Sequence, residues 1–177
     1  MGAKDPVSAG LLLFRRSATT TDGEGEGSSG MASGEQLRVL LGHPGGPYHA
    51  QRDLGAWSVP KGLVEDGEDA LQAARREFEE ETELAPPVDP RCYLDLGSVR
   101  YRNGKTVRAW AFEGECDPAA LRSNTIAIEW PPRSGRSLEI PEIDRFELFP
   151  LAEAERRILT AQRPLLERLV ERLRAGD

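Results

Sequence analysis

The chain has 177 residues, 38% of them hydrophobic, and a formal charge of 23 − 30 = −7 at pH 7. That is enough sequence for one folded unit with a sizeable core, since domains centre on about 100–150 residues. The acidic balance repels nucleic-acid backbones and anionic membranes, and no apolar run approaches the ~18 residues of a spanning helix, so neither is expected as a partner.

Met1–Gly10 carries a lysine and an aspartate before the short run Leu11–Phe14, too little apolar sequence for a secretory leader. The two cysteines, Cys92 and Cys116, offer neither a disulfide framework nor ligand spacing. A soluble, cytoplasmic protein is expected. Val7–Arg16 (VSAGLLLFRR) reads as a strand entering a core. Ser17–Glu35 is Gly-, Ser- and Thr-rich, with almost no large apolar side chain to offset its ordering entropy, and reads as a flexible loop at 17–35. Gln36–Gly42 is the next strand. His43–Ala56 is irregular, with Pro44, Gly45, Gly46 and Pro47, and Trp57–Val59 is a short extended piece.

Asp69–Glu83 has helical periodicity and strong helix formers, stopped by Pro86 and Pro87. Asn103–Gly104 between Cys92–Arg102 and Lys105–Glu113 is a strong hairpin signal. Thr125–Trp130 and Ile143–Phe149 read as strands, with a loop at Pro131–Ser137 between them. Leu151–Leu159 and Pro164–Arg174 read as helices, the second with Leu165, Leu166, Leu169 and Leu173 along one stripe. Several strands, one internal helix and a helical C-terminal part predict an α+β fold, a sandwich on a mixed β-sheet.

The chemistry concentrates on Asp69–Glu83. At about 100° per residue, Glu77, Glu80 and Glu81 fall within about 100° of one another, with Glu81 inside the apolar stripe of Ala70, Leu71, Ala74 and Phe78. Glu79 and Glu83 point the other way and read as surface charge. Desolvating three crowded carboxylates costs several kcal/mol each unless something positive is present. Arg76 helps but does not neutralise three charges, whereas Mg²⁺ or Mn²⁺ suits hard oxygen donors on one face. Upstream, Pro60-Lys61-Gly62 supplies a rigid turn, a cation suited to a phosphate oxygen, and a residue that lets backbone approach a ligand.

Gly62 to Leu84 resembles the Nudix box, the signature of hydrolases acting on a nucleoside diphosphate linked to another group. The matching residues are Gly62, Glu68, Arg76, Glu77, Phe78, Glu80, Glu81 and Leu84. The departure is Glu83, which stands where the pattern has glycine. Glycine there would cap the helix in a left-handed conformation, so a shifted helix end is expected, with the carboxylate face intact.

The resemblance implies a single Nudix hydrolase domain over residues 1–177, with an α/β/α sandwich and a mixed sheet. It also implies Mg²⁺ or Mn²⁺ as cofactor, with Glu77, Glu80, Glu81 and the Gly62 carbonyl as metal ligands. Arg76 would orient the carboxylates, Glu68 would hold loop to helix, and Glu77 is the first choice of general base. An outlying acid often completes such a site. Glu142 is favoured, Glu139 is next, and Glu113, Glu115 and Glu129 are the others. Lys61, Arg52 and Tyr48 are the candidate substrate contacts. His43 and His49 are expected to hydrogen-bond or edge the substrate. Trp57, Trp110 and Trp130 read as packing, and Arg100, Arg102, Lys105 and Arg108 as hairpin charges or a cationic rim.

The implied reaction is metal-dependent hydrolysis of a phosphoanhydride in a small nucleoside polyphosphate, by water attack at phosphorus. The run Trp57–Gly62 (WSVPKG) is similar to that of family members acting on dinucleoside polyphosphates, and some nucleoside triphosphatases and diphosphoinositol hydrolases share parts of it. The rivals are an ADP-ribose or nucleotide-sugar pyrophosphatase and a non-catalytic nucleotide-binding module. A monomer or homodimer is expected, with no nucleic-acid or membrane partner.

Overall fold

The computed structural model describes residues 6–17 and 36–176. The segment 18–35, read above as part of a flexible loop, lies outside the described residues. The main sheet contains β1 (Val7–Ser17), β2 (Gln36–Pro44), β3 (Lys61–Leu63), β4 (Leu94–Arg100), β5 (Thr106–Glu113) and β8 (Ile143–Pro150), in the order β4-β5-β1-β2-β8 with β3 also on β1. β1 runs parallel to β5 and antiparallel to β2 and β3, so the sheet is mixed, as predicted.

Apolar side chains of β1 alternate between two cores. Leu12 and Phe14 face one side, with Val39, Leu41 and Phe149, under α2 (Leu151–Arg157) and α3 (Arg163–Gly176). Leu11 and Leu13 face the other, with Leu40, Trp110 and Phe112, under α1 (Ala70–Thr82). A strand covered on both faces has no polar side to show, which is why it reads as an uninterrupted apolar run. The result is the expected α/β/α layering.

Two expectations need correction. The loop expected at Pro131–Ser137 ends one residue early, at a strand the sequence reading does not include: β7 (Ser137–Pro141) pairs antiparallel with β6 (Thr125–Glu129) as a two-stranded ribbon outside the main sheet. Its alternation is masked because Ser137, Leu138 and Glu139 are all exposed. The end of α1 is not shifted either. Glu83 itself takes the left-handed cap, at φ 56° and ψ 20°, and its N–H donates to the Glu79 carbonyl. The buried Thr82 hydroxyl, donating to the Phe78 carbonyl at 2.6 Å and accepting from the Leu84 N–H at 3.2 Å, stabilises that ending without glycine.

Among the described residues, no helix is long and apolar enough to cross a membrane. Trp57 and Trp110 are buried packing residues, as expected, whereas Trp130 is half-buried, edge-on to Tyr48 with ring centroids 4.9 Å apart.

Candidate active site

The site forms where β3 meets the second half of α1. β3 is fixed by pairing Gly62 with Ala9 and Lys61 with Gly10 on β1. Asp69 caps α1, its carboxylate accepting from the Leu71 and Gln72 N–H groups at 3.0 and 3.1 Å. With both ends set, the helix lays Glu77 directly over Gly62. A β-carbon on Gly62 would come within 1.9 Å of the Glu77 carboxyl carbon, so only glycine leaves room for that acid.

Arg76 ties the acids together. Its Nε and Nη2 donate to the two oxygens of Glu68, each at 3.0 Å. Its Nη1 donates to Glu77 at 2.8 Å and reaches Glu80 at 3.5 Å, and Nη2 also donates to the Leu63 carbonyl at 3.1 Å. These bonds to anions push the guanidinium well above its ordinary value, chiefly through Glu68 and against the cost of burial. Glu68 also accepts from the Glu65 N–H at 3.0 Å, closing the loop onto the helix, and its carboxyl is held below the usual range.

Glu81 is 3% exposed and accepts from the Lys61 N–H at 2.8 Å. Burial pushes its carboxyl up to about 8, opposed by the Lys61 charge and reinforced by Glu142 and Glu77. Glu77 is raised as well, first by burial and opposed by Arg76, with Glu80 and Glu142 adding repulsion. Glu80 stands nearly half exposed at the rim.

Glu142, between β7 and β8, faces this group from across the cleft. It accepts from the Asn124 side-chain amide at 3.1 Å, and its N–H donates to the Asn124 carbonyl at 2.9 Å. Of the other outlying acids, Glu113 pairs with Arg16, Glu115 with Arg15, Glu129 accepts from the Gly135 N–H, and Glu139 is exposed on the ribbon.

A cleft of about 240 Å³ is lined by Lys61, Glu81 and Glu142 together with Tyr48, Ile126, Ile128 and Ile140. A second, of about 600 Å³, continues past Lys61, His49 and Ser58 to Arg52. Lys61 and His49 border both, so the structure brings Lys61, Tyr48 and Arg52 to one continuous groove. His49 is lowered by burial and by repulsion from Arg52 and His43.

Lys105 belongs here too. It is half-buried rather than solvated, and its ammonium is pushed down by burial and by Lys61 while Glu142 and Glu81 pull it back up. The hairpin signal placed Lys105 at a turn, but only the pairing of β5 with β1 carries that turn to β3. The neighbouring Arg108 turns away to Asp95 at 3.1 Å and over the Trp110 ring.

The NUDIX domain family matches residues 29–169. The chain belongs to the NUDIX family. An RNA pyrophosphohydrolase from Rhizobium meliloti (strain 1021) is 31% identical to this Nudix chain over 126 residues, 64% of the chain and 70% of that protein. A Caenorhabditis elegans Ap4A hydrolase, solved as a binary complex, superposes with a TM-score of 0.58 at 21% identity, covering 96% of this chain and 99% of its own. The NUDIX domain of Shewanella oneidensis NrtR, solved with ADP ribose, gives 0.59 at 19% identity, covering 97% and 90%. At those identities the two structures establish the fold. Family and relatives together place the chain among pyrophosphohydrolase enzymes.

Proposed function

We propose that this Nudix enzyme hydrolyses a phosphoanhydride bond in a nucleoside polyphosphate, a dinucleoside polyphosphate or nucleoside triphosphate, with Mg²⁺ or Mn²⁺. The observation that carries the reading is the buried Glu81, with Glu77 seated on Gly62 beside it and Glu142 facing both. Glu142 and Glu77 raise the cost of ionising Glu81, and Glu142 raises that of Glu77. Such a set is stabilised by a doubly charged ion and is chemically suited to one, every donor being a hard oxygen.

Among the described residues no three such side chains converge on a common point: Arg76 and the Lys61 N–H hold Glu77 and Glu81 instead. The residues that would hold the ion are Glu77, Glu80, Glu81, the Gly62 carbonyl and Glu142. When bound, the ion supplies charge neutralisation at the phosphate and acidifies a water.

The chain's own groups do the rest. Lys61 and Lys105 meet non-bridging phosphate oxygens as point charges, and Arg52 grips a further phosphate along the groove. Glu77 takes the proton of the attacking water. Arg76 and Glu68 keep Glu77 in place. Tyr48 and the ribbon isoleucines present a surface for a base.

A second reading, a polyphosphate at the 5′ end of an RNA, is favoured by the 31% identity to the Rhizobium meliloti protein. The chain's net charge of −7 weighs against a long anionic partner. A panel of dinucleoside polyphosphates, triphosphates, nucleotide sugars and 5′-triphosphate RNA, with Mg²⁺, Mn²⁺ or a chelator, decides. Release of nucleotide only with metal, lost when Glu80→Gln and Glu81→Gln are combined, is the expected result. Folded, metal-supplied protein that turns over nothing in the panel overturns the reading.

A further inference from the structure

His43 is a buried titratable group that the mechanism above does not use. It is the penultimate residue of β2, where the pairing with β8 slips by one residue between His43 and Pro44. The ring is 0% exposed and sits edge-on to Trp57, centroids 5.2 Å apart. Its Nε2 lies 2.7 Å from the carbonyl oxygen of Arg52, and its Nδ1 lies 2.7 Å from a carboxylate oxygen of Asp144.

A carbonyl oxygen only accepts, so Nε2 donates. A carboxylate also accepts, so Nδ1 donates as well. A ring with one proton would aim a lone pair at an oxygen while shielded from bulk solvent. The arrangement is satisfied by an imidazolium against Asp144, whose charge is shared with Arg145 at 3.6 Å. The other end of this clamp is the backbone of Arg52, whose side chain borders the groove beyond Lys61.

We propose that His43 is a positioning residue for substrate binding: held by Asp144, its doubly protonated ring fixes the Arg52 backbone and so aims the Arg52 guanidinium at the phosphate chain. This rests on the reading that the groove holds a polyphosphate. His43 touches no reacting atom, so it should change KM rather than kcat.

The test is a double-mutant cycle with diadenosine tetraphosphate and ATP as probes. His43→Gln and Arg52→Gln should each raise KM about tenfold, the scale of one charge-assisted hydrogen bond, with kcat held within about twofold. Combined, they should be no worse than Arg52→Gln alone. Additive losses, an unchanged KM, or a fall in kcat alone would overturn the proposal. Asp144→Asn provides the same split if His43→Gln fails to fold.

A second readout needs no turnover. The chain has two histidines, and His49 is only half-buried, so nitrogen NMR assigns the His43 ring readily. Two protected ring N–H protons are expected on His43, and a single one would overturn the double-donor assignment. Should the probes not be hydrolysed at all, the proposed function fails there, while the ring spectrum still decides this inference.

Discussion

A carboxyl group held at about 8 works against folding at neutral pH. The ordinary glutamate value is 4.5, so between there and about 8 the unfolded chain sheds a proton that Glu81 keeps in the metal-free fold. The unfolded state then binds fewer protons, and stability falls as pH rises across that window before levelling off. Glu81→Gln keeps an oxygen to accept from the Lys61 N–H and removes the titration. With chelator at pH near 8, this variant should melt above the parent, and at pH near 5 the two should converge. Magnesium should raise the melting temperature of the parent more than that of the variant. A thermal scan over pH checks all three, and a variant that melts lower at both ends would contradict the account. The acids were legible as residues because helical spacing alone groups Glu77, Glu80 and Glu81. The role of Lys105 was not, because its position depends on a contact across the sheet that no local pattern encodes.

At the scale of elements, α1 is defined at both ends by side chains that the sequence displays, Asp69 at the start and the Pro86–Pro87 pair beyond its end. Its exact ending is set by contacts that propensity does not show. Propensity disfavours glutamate in a left-handed conformation by about 1 kcal/mol, which argued for a displaced cap, but the Thr82 hydroxyl and the packing of Phe78 hold the backbone where it is. Glu83→Gly should therefore stabilise the protein by about 1 kcal/mol, a rise of about 2–4 °C in Tm, with turnover unchanged because Glu83 is exposed beyond the end of α1. Calorimetry with a parallel activity assay measures both, and a lower Tm would mean the cap carries no strain. The main strands were legible because β1, β2 and β5 are long and apolar. β7 escaped because a ribbon exposed along most of its length shows no buried face to alternate with.

Across the whole molecule, the groove is held to the C-terminal helices by charge. Asp53 accepts from the Trp57 indole at 2.8 Å and pairs with Arg157 of α2, which keeps its carboxyl below the usual range, the indole bond first. Glu113 with Arg16 and Glu68 with Arg76 behave alike. A carboxyl depressed in the fold contributes stability that is present above its unfolded value and is lost as pH falls through the lowered one. Asp53→Asn should thus be less stable than the parent in urea at neutral pH and equal to it once both are acidified below those values. A difference that persists in acid would assign the loss to packing. The placement of β1 has a further consequence. The first described strand to leave a ribosome is central, and its parallel partner is β5, made only when Thr106–Glu113 emerges. Until then the Leu11–Phe14 run has two greasy flanks and half its neighbours. A nascent chain stalled before Thr106 therefore leaves one edge of this apolar strand unpaired, the kind of surface on which incomplete chains aggregate.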